Sequence, residues 1–150
     1  MPSAKAVLVA LVVLGAAIYL SFSDYVSLQS STTVEQFRGL LGDQDTRASM
    51  AAGFDLLFAA TYALLGVIAF AAVSAGVPRL IGTVAIIGSA IADEVENTMV
   101  LVNIRSGLDI DQSTVDLMTT AGAVKWGLLI TAVVLFLALA GHRWLEQRRV

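Results

Sequence analysis

The chain has 150 residues, 57% hydrophobic and 14% charged, with a formal net charge of −3 and a mean hydropathy of +0.82. Soluble domains carry about 25% charged residues, so a soluble globular domain, a disordered chain and a nucleic-acid binder with a basic face are excluded. An integral membrane protein remains. It has no cysteine and only one histidine, so no disulfide, thiolate site or His-rich metal cluster is available, and no cofactor is expected.

A bilayer core of about 30 Å needs roughly 20 helical residues, and four stretches satisfy that. The first predicted span, 5–23, holds the uncharged run Ala6 to Phe22 behind Lys5. It is long for a signal peptide and no clear A-x-A site follows, so it reads as a retained helix. Next, Thr32-x-x-Glu35 matches a capping box. Val34, Phe37, Leu40 and Leu41 then recur at helical spacing, which predicts a short amphipathic helix at the outer interface. The second span, 48–76, is interrupted only by Asp55, and Gly76-Val77-Pro78-Arg79 reads as a tight turn.

The third span, 80–104, contains Asp93, Glu94 and Glu96. Each acid costs about 2.5–3.5 kcal/mol at the bilayer centre, while each Leu, Ile or Val returns about 0.3–0.6. This helix therefore inserts only if its acids are off-centre, protonated or partnered on neighbouring helices. The fourth span, 115–142, is interrupted between Asp116 and Arg143 only by Lys125, and Ser113-x-x-Asp116 is a candidate cap at its start. With four spans, Lys5, Arg79, Arg143, Arg148 and Arg149 share one side, which basic bias assigns to the cytoplasm. The opposite loops hold Asp24, Glu35, Asp43, Asp45, Asp109 and Asp111. The expected fold is an all-α, single-domain, up-down four-helix bundle over 1–150, multi-pass in the inner membrane, with both termini cytoplasmic.

A rise of about 1.5 Å per residue puts Asp55, Glu96, Asn97 and Lys125 at one depth, roughly 10–12 Å below the outer surface. Asp93, Glu96 and Asn97 stand at i, i+3 and i+4 on one face of the third span, with Glu94 about 100° away on a flank. In the second span Asp55, Phe58, Ala59, Tyr62 and Gly66 form one stripe. Ionisable groups in lipid normally face the bundle interior, so these faces should meet each other and Lys125. Lys125 should pair with Asp55, Asp93 or Glu96. The acids outnumber it, so some should hold protons or a cation should be bound.

Three functions fit this pattern. The first is a site that binds or passes a proton, cation or small polar ligand. There Asp55, Asp93 and Glu96 exchange protons or ligate, Lys125 is the counter-ion, and Asn97 and Tyr62 orient them. The second is an intramembrane acid–base enzyme on a lipid-like substrate; no catalytic residue is assigned. The third is an accessory subunit whose charges act as packing glue. Membrane lipid is the expected partner, with a second copy of the chain as another candidate.

Other features read as structural. Gly88-x-x-x-Ala92 and Ala85-x-x-x-Ser89 allow close helix contact. Trp126, Trp144, Tyr19 and Tyr25 suit the interfaces, and His142 suits a headgroup contact. Ser89 lies one turn from Asp93 but has no embedded histidine to act as its base.

The segments Phe54-Asp55-Leu56-Leu57-Phe58 with Tyr62, Ala92-Asp93-Glu94-Val95-Glu96-Asn97, and Lys125-Trp126 together resemble small four-helix bacterial inner-membrane proteins with a D-x-x-E-N motif in the third helix. The resemblance covers the second to fourth spans. It implies the helix count and the charged cluster, and it assigns no catalytic role.

Overall fold

The computed structural model describes residues 24–148 together with Val13. The first predicted span, 5–23, lies outside the described residues apart from Val13, which is helical. The five described elements are α1 (Tyr25–Gln29), α2 (Val34–Leu41), α3 (Asp45–Val73), α4 (Gly76–Ser106) and α5 (Gln112–Gln147), all helices. Among the described residues there is no strand. Helices α3, α4 and α5 are long and apolar enough to cross a membrane.

Helices α4 and α5 run past their predicted limits at both ends, whereas α3 starts three residues early and stops at Val73, short of the predicted 76. Helix α3 begins at Asp45, where an acid in the first turn favours the positive end of the helix dipole. The turn expected at Gly76 to Arg79 is instead the first turn of α4, and the reversal is confined to Ser74 and Ala75. Pro78 therefore sits inside a helix. This is allowed because first-turn N–H groups have no intrahelical acceptor, so the missing one is not needed. Gly76, at φ +66°, supplies the left-handed backbone that enters α4.

The expected caps shift as well. Thr33, not Thr32, caps α2 by accepting from the Gln36 N–H at 3.1 Å, while the Thr32 N–H donates to Gln36 Oε1 at 3.0 Å. Helix α5 is capped by Asp111, which accepts from the Ser113 N–H at 2.9 Å, rather than by Ser113.

Helix α4 is central: 39% of its most apolar stretch is buried, against 11% for α3 and for α5. Its neighbours run antiparallel to it. Tyr62 meets Ser89 and Gly66 meets Ile86 along α3 and α4; Gly122 meets Glu96 and Gly88 meets Leu128 along α4 and α5.

Two apolar clusters occupy opposite ends of the bundle. The first joins Tyr25, Leu28, Phe37 and Leu41 of the short helices to Ala48, Ala51, Ala52, Val100, Ile104, Val115 and Met118. The second gathers Phe70, Ala85, Ile86 and Ala132, with Val67, Leu129 and Phe136 around them. There the Phe70 ring covers Gly82 and meets Phe136 edge-on at 5.9 Å. Between the clusters lies a polar layer.

Candidate functional site

Four of the six predicted site residues lie on α4 and α5 and bond directly to one another. Asp93, Glu96 and Asn97 are buried on one face of α4, as their spacing requires. From α5, Lys125 Nζ donates to Asp93 Oδ1 at 3.0 Å and to Glu96 Oε2 at 2.5 Å. All three side chains are at most 10% exposed. Asn97 Nδ2 donates to the same Asp93 oxygen at 3.1 Å. Thus one carboxylate oxygen takes both a charged and a neutral donor, and the amide is turned with its oxygen away from Asp93.

The fifth residue, Asp55 on α3, is buried in the same layer but bonds neither Lys125 nor the α4 acids. Its partner comes from α1: Gln29 Nε2 donates to Asp55 Oδ2 at 3.0 Å. The same nitrogen donates to Asn97 Oδ1 at 2.9 Å, and the Tyr25 hydroxyl donates to that oxygen at 2.5 Å. Both amide hydrogens of Gln29 are therefore committed to the cluster. Burial first, then the Asp55, Glu96 and Asp93 carboxylates, push the Tyr25 hydroxyl far above its usual range, which keeps it a donor.

Tyr62, the sixth residue, is half-buried and stands one step away from the ion pairs. Its hydroxyl lies 3.3 Å from Ser89 Oγ, and Ser89 donates to the Lys125 backbone carbonyl at 3.0 Å. Through Ser89 it braces the α5 backbone that carries Lys125, and its ring rests edge-on against Phe58 at 5.8 Å. Glu94 is half-exposed on the flank of α4.

Four members of the site are absent from the sequence expectation. Tyr25 reads there as an interfacial aromatic, yet it is 2% exposed and reaches into the polar layer. Gln29 and Ser89 carry hydrogen bonds of the site that their residue types alone do not announce. Gly122 makes room: a Cβ there would stand 2.5 Å from Glu96 Oε1. A signal for α1 does exist. Tyr25, Leu28 and Gln29 stand at i, i+3 and i+4, the spacing that marks the acid face of α4.

Chemically, the layer holds Asp55, Asp93 and Glu96 against Lys125, three acids and one base, an excess of two negative charges if all were ionised. Among the described residues, no group of three or more His, Asp or Glu side chains is arranged to hold a metal ion. No protein-family model, curated protein or solved structure matches the chain.

Proposed function

We propose that the chain is a multi-pass inner-membrane protein, an up-down bundle of four spanning helices with both termini cytoplasmic. Its charged layer, in the outer half of the bundle, binds or passes a proton, a cation or a small polar ligand. One observation carries this reading: three buried carboxyl groups lie in one layer with a single ammonium, which pairs with only two of them. An uncompensated charge in surroundings of low dielectric is strongly unfavourable. The layer therefore moves toward neutrality by taking up positive charge. Asp55 is the acid that Lys125 does not bond, and a proton there is the smallest change that reduces the excess.

The orientation rests on basic bias. Lys5, Arg79, Arg143, Arg148 and Arg149 fall at the cytoplasmic ends under this topology, against Arg38, Arg47 and Arg105 at the other face. At the cytoplasmic end Arg143 donates to the Ala72 carbonyl and closes the last turn of α3. The apolar stripe Leu80, Ile81, Val84, Ile87 and Ile91 on α4 is exposed and suits lipid.

A structural reading is favoured by one feature: both ion pairs of Lys125 tie α5 to α4, as polar glue would. Proton uptake separates the two readings. Purified protein in detergent is titrated with acid beside Asp55→Asn and the double variant Asp93→Asn with Lys125→Met. A functional site predicts one proton fewer taken up by Asp55→Asn, with the fold intact. Equal uptake by Asp55→Asn and the original chain, with a well-folded double variant, would leave the charges as glue.

A further inference from the structure

The short helix α1 closes the charged layer from the side of the α2–α3 and α4–α5 loops. A helix of five residues has no stability of its own, so its place is set by what it touches. Leu28 anchors it in the apolar cluster, and every side-chain hydrogen bond it sends into the bundle ends on Asp55 or Asn97. Its outer face is open, with Val26 70% exposed. Just beyond it, the Ser31 carbonyl accepts from Thr119 of α5 at 2.9 Å.

The two polar feet of α1 differ in kind. Tyr25 donates to a neutral amide oxygen, so its hydrogen-bond acceptor does not change when Asp55 gains or loses its charge. Gln29 donates to the Asp55 carboxyl, and such a bond is roughly twice as strong when the acceptor is ionised. The strength of the Gln29 contact therefore reports the charge on Asp55. The charged groups around Asp55 are Asp93 and Glu96 from α4 and Lys125 from α5, with the Tyr25 hydroxyl from α1.

We propose that α1 is a gate over the charged layer, latched by Gln29 while Asp55 is ionised and loosened when Asp55 is neutralised by a proton or a cation. This rests on the reading of the layer as a site that takes up positive charge, and it adds the route: exchange occurs past α1, from one side only. The opposite end of the layer is closed by Phe70 over Gly82 and by Ile86 against Gly66. By reciprocity, opening the gate and neutralising Asp55 favour each other.

The absence of cysteine makes the gate measurable. Ser31 is fully buried, while Ser27 is exposed, and both accept a near-isosteric change to Cys. The readout is the labelling rate of Ser31→Cys by a water-soluble maleimide, divided by that of Ser27→Cys, which removes the intrinsic pH dependence of the thiol. The ratio is expected to rise as pH falls in the original background. Asp55→Asn should raise it roughly fivefold at neutral pH and abolish its pH dependence. Gln29→Ala should raise it similarly while leaving the acids in place.

A ratio unmoved by Asp55→Asn and by Gln29→Ala, with Ser31→Cys normally folded, would overturn the gate. Its failure is distinct from failure of the site. Normal proton uptake at Asp55 with an unmoved ratio sinks the gate alone, whereas absent uptake sinks the site and Gln29→Ala still tests the latch.

Discussion

The two ends of the described bundle are held together by different physics. Around the charged layer, α1, α3, α4 and α5 are joined by ion pairs and directional hydrogen bonds, several of them charge-assisted. At the opposite end, α3, α4 and α5 meet chiefly through shape, with Phe70 on Gly82, Ile86 on Gly66 and Leu128 near Gly88, and Arg143 adds one hydrogen bond to the Ala72 carbonyl. In lipid, burying apolar side chains brings helices together only weakly, so close packing of small residues does the work at that end. The polar end is richer in hydrogen bonds than a packing role needs. A structural seam can be made without unbalanced charge, as the apolar end of the same helices demonstrates.

The largest expected effect is at the polar end. Lys125→Met strands Asp93 and Glu96 without their ammonium and should lower stability by about 3–5 kcal/mol, read as a loss of midpoint in thermal unfolding in detergent. Adding Asp93→Asn should recover part of that loss, since the two residues share one bond. Full additivity of the two changes would separate them energetically and blur the contrast between the ends.

The apolar end should answer to volume instead. A Cβ at Gly82 would collide with the Phe70 ring, so Gly82→Ala should destabilise by about 1–3 kcal/mol through overpacking, with no change in proton uptake. Gly122→Ala makes the matching test at the polar end. Its methyl meets the Glu96 carboxylate and should disturb proton uptake as well as stability.

Smaller still is Tyr25→Phe, which removes one donor to Asn97 and should cost about 1 kcal/mol. It also carries a pH signature. Folding holds the Tyr25 hydroxyl above the value of about 10 for a free tyrosine. The stability it contributes is full below that pH and declines as pH rises above it, because only the unfolded chain releases the proton. Tyr25→Phe should flatten that alkaline decline in unfolding midpoint. The smallest effect belongs to the exposed His142 and Glu146 pair at 3.6 Å, where His142→Ala should change stability by less than about 0.5 kcal/mol.

The three long apolar helices and the α4–α5 ion pairs are legible in the residues because they follow from periodicity and from the high penalty on lone charges in apolar surroundings. The i, i+3, i+4 spacing of Asp93, Glu96 and Asn97 fixes their common face, and a single lysine leaves the α4 acids one cationic partner. The partner of Asp55 is not legible in this way. Lys125 is attractive to it by charge alone, yet the contact is made by Gln29, a neutral residue on a helix too short to show a clear hydrophobic period. The place of Pro78 eludes reading for another reason: a proline two residues after a glycine fits a turn and a first helical turn equally, and only the length of the α3–α4 link decides. Gly122 looks like any small residue until the length of the Glu96 side chain opposite it is known.

Infrared difference spectroscopy between neutral and acid pH tests the central claim most directly, since a protonated carboxyl buried among helices absorbs apart from ionised ones. A protonated-carboxyl band that disappears in Asp55→Asn, and persists in Asp93→Asn, is the expected result. A spectrum without such a band across the acid range, or one whose band survives in Asp55→Asn, would contradict it.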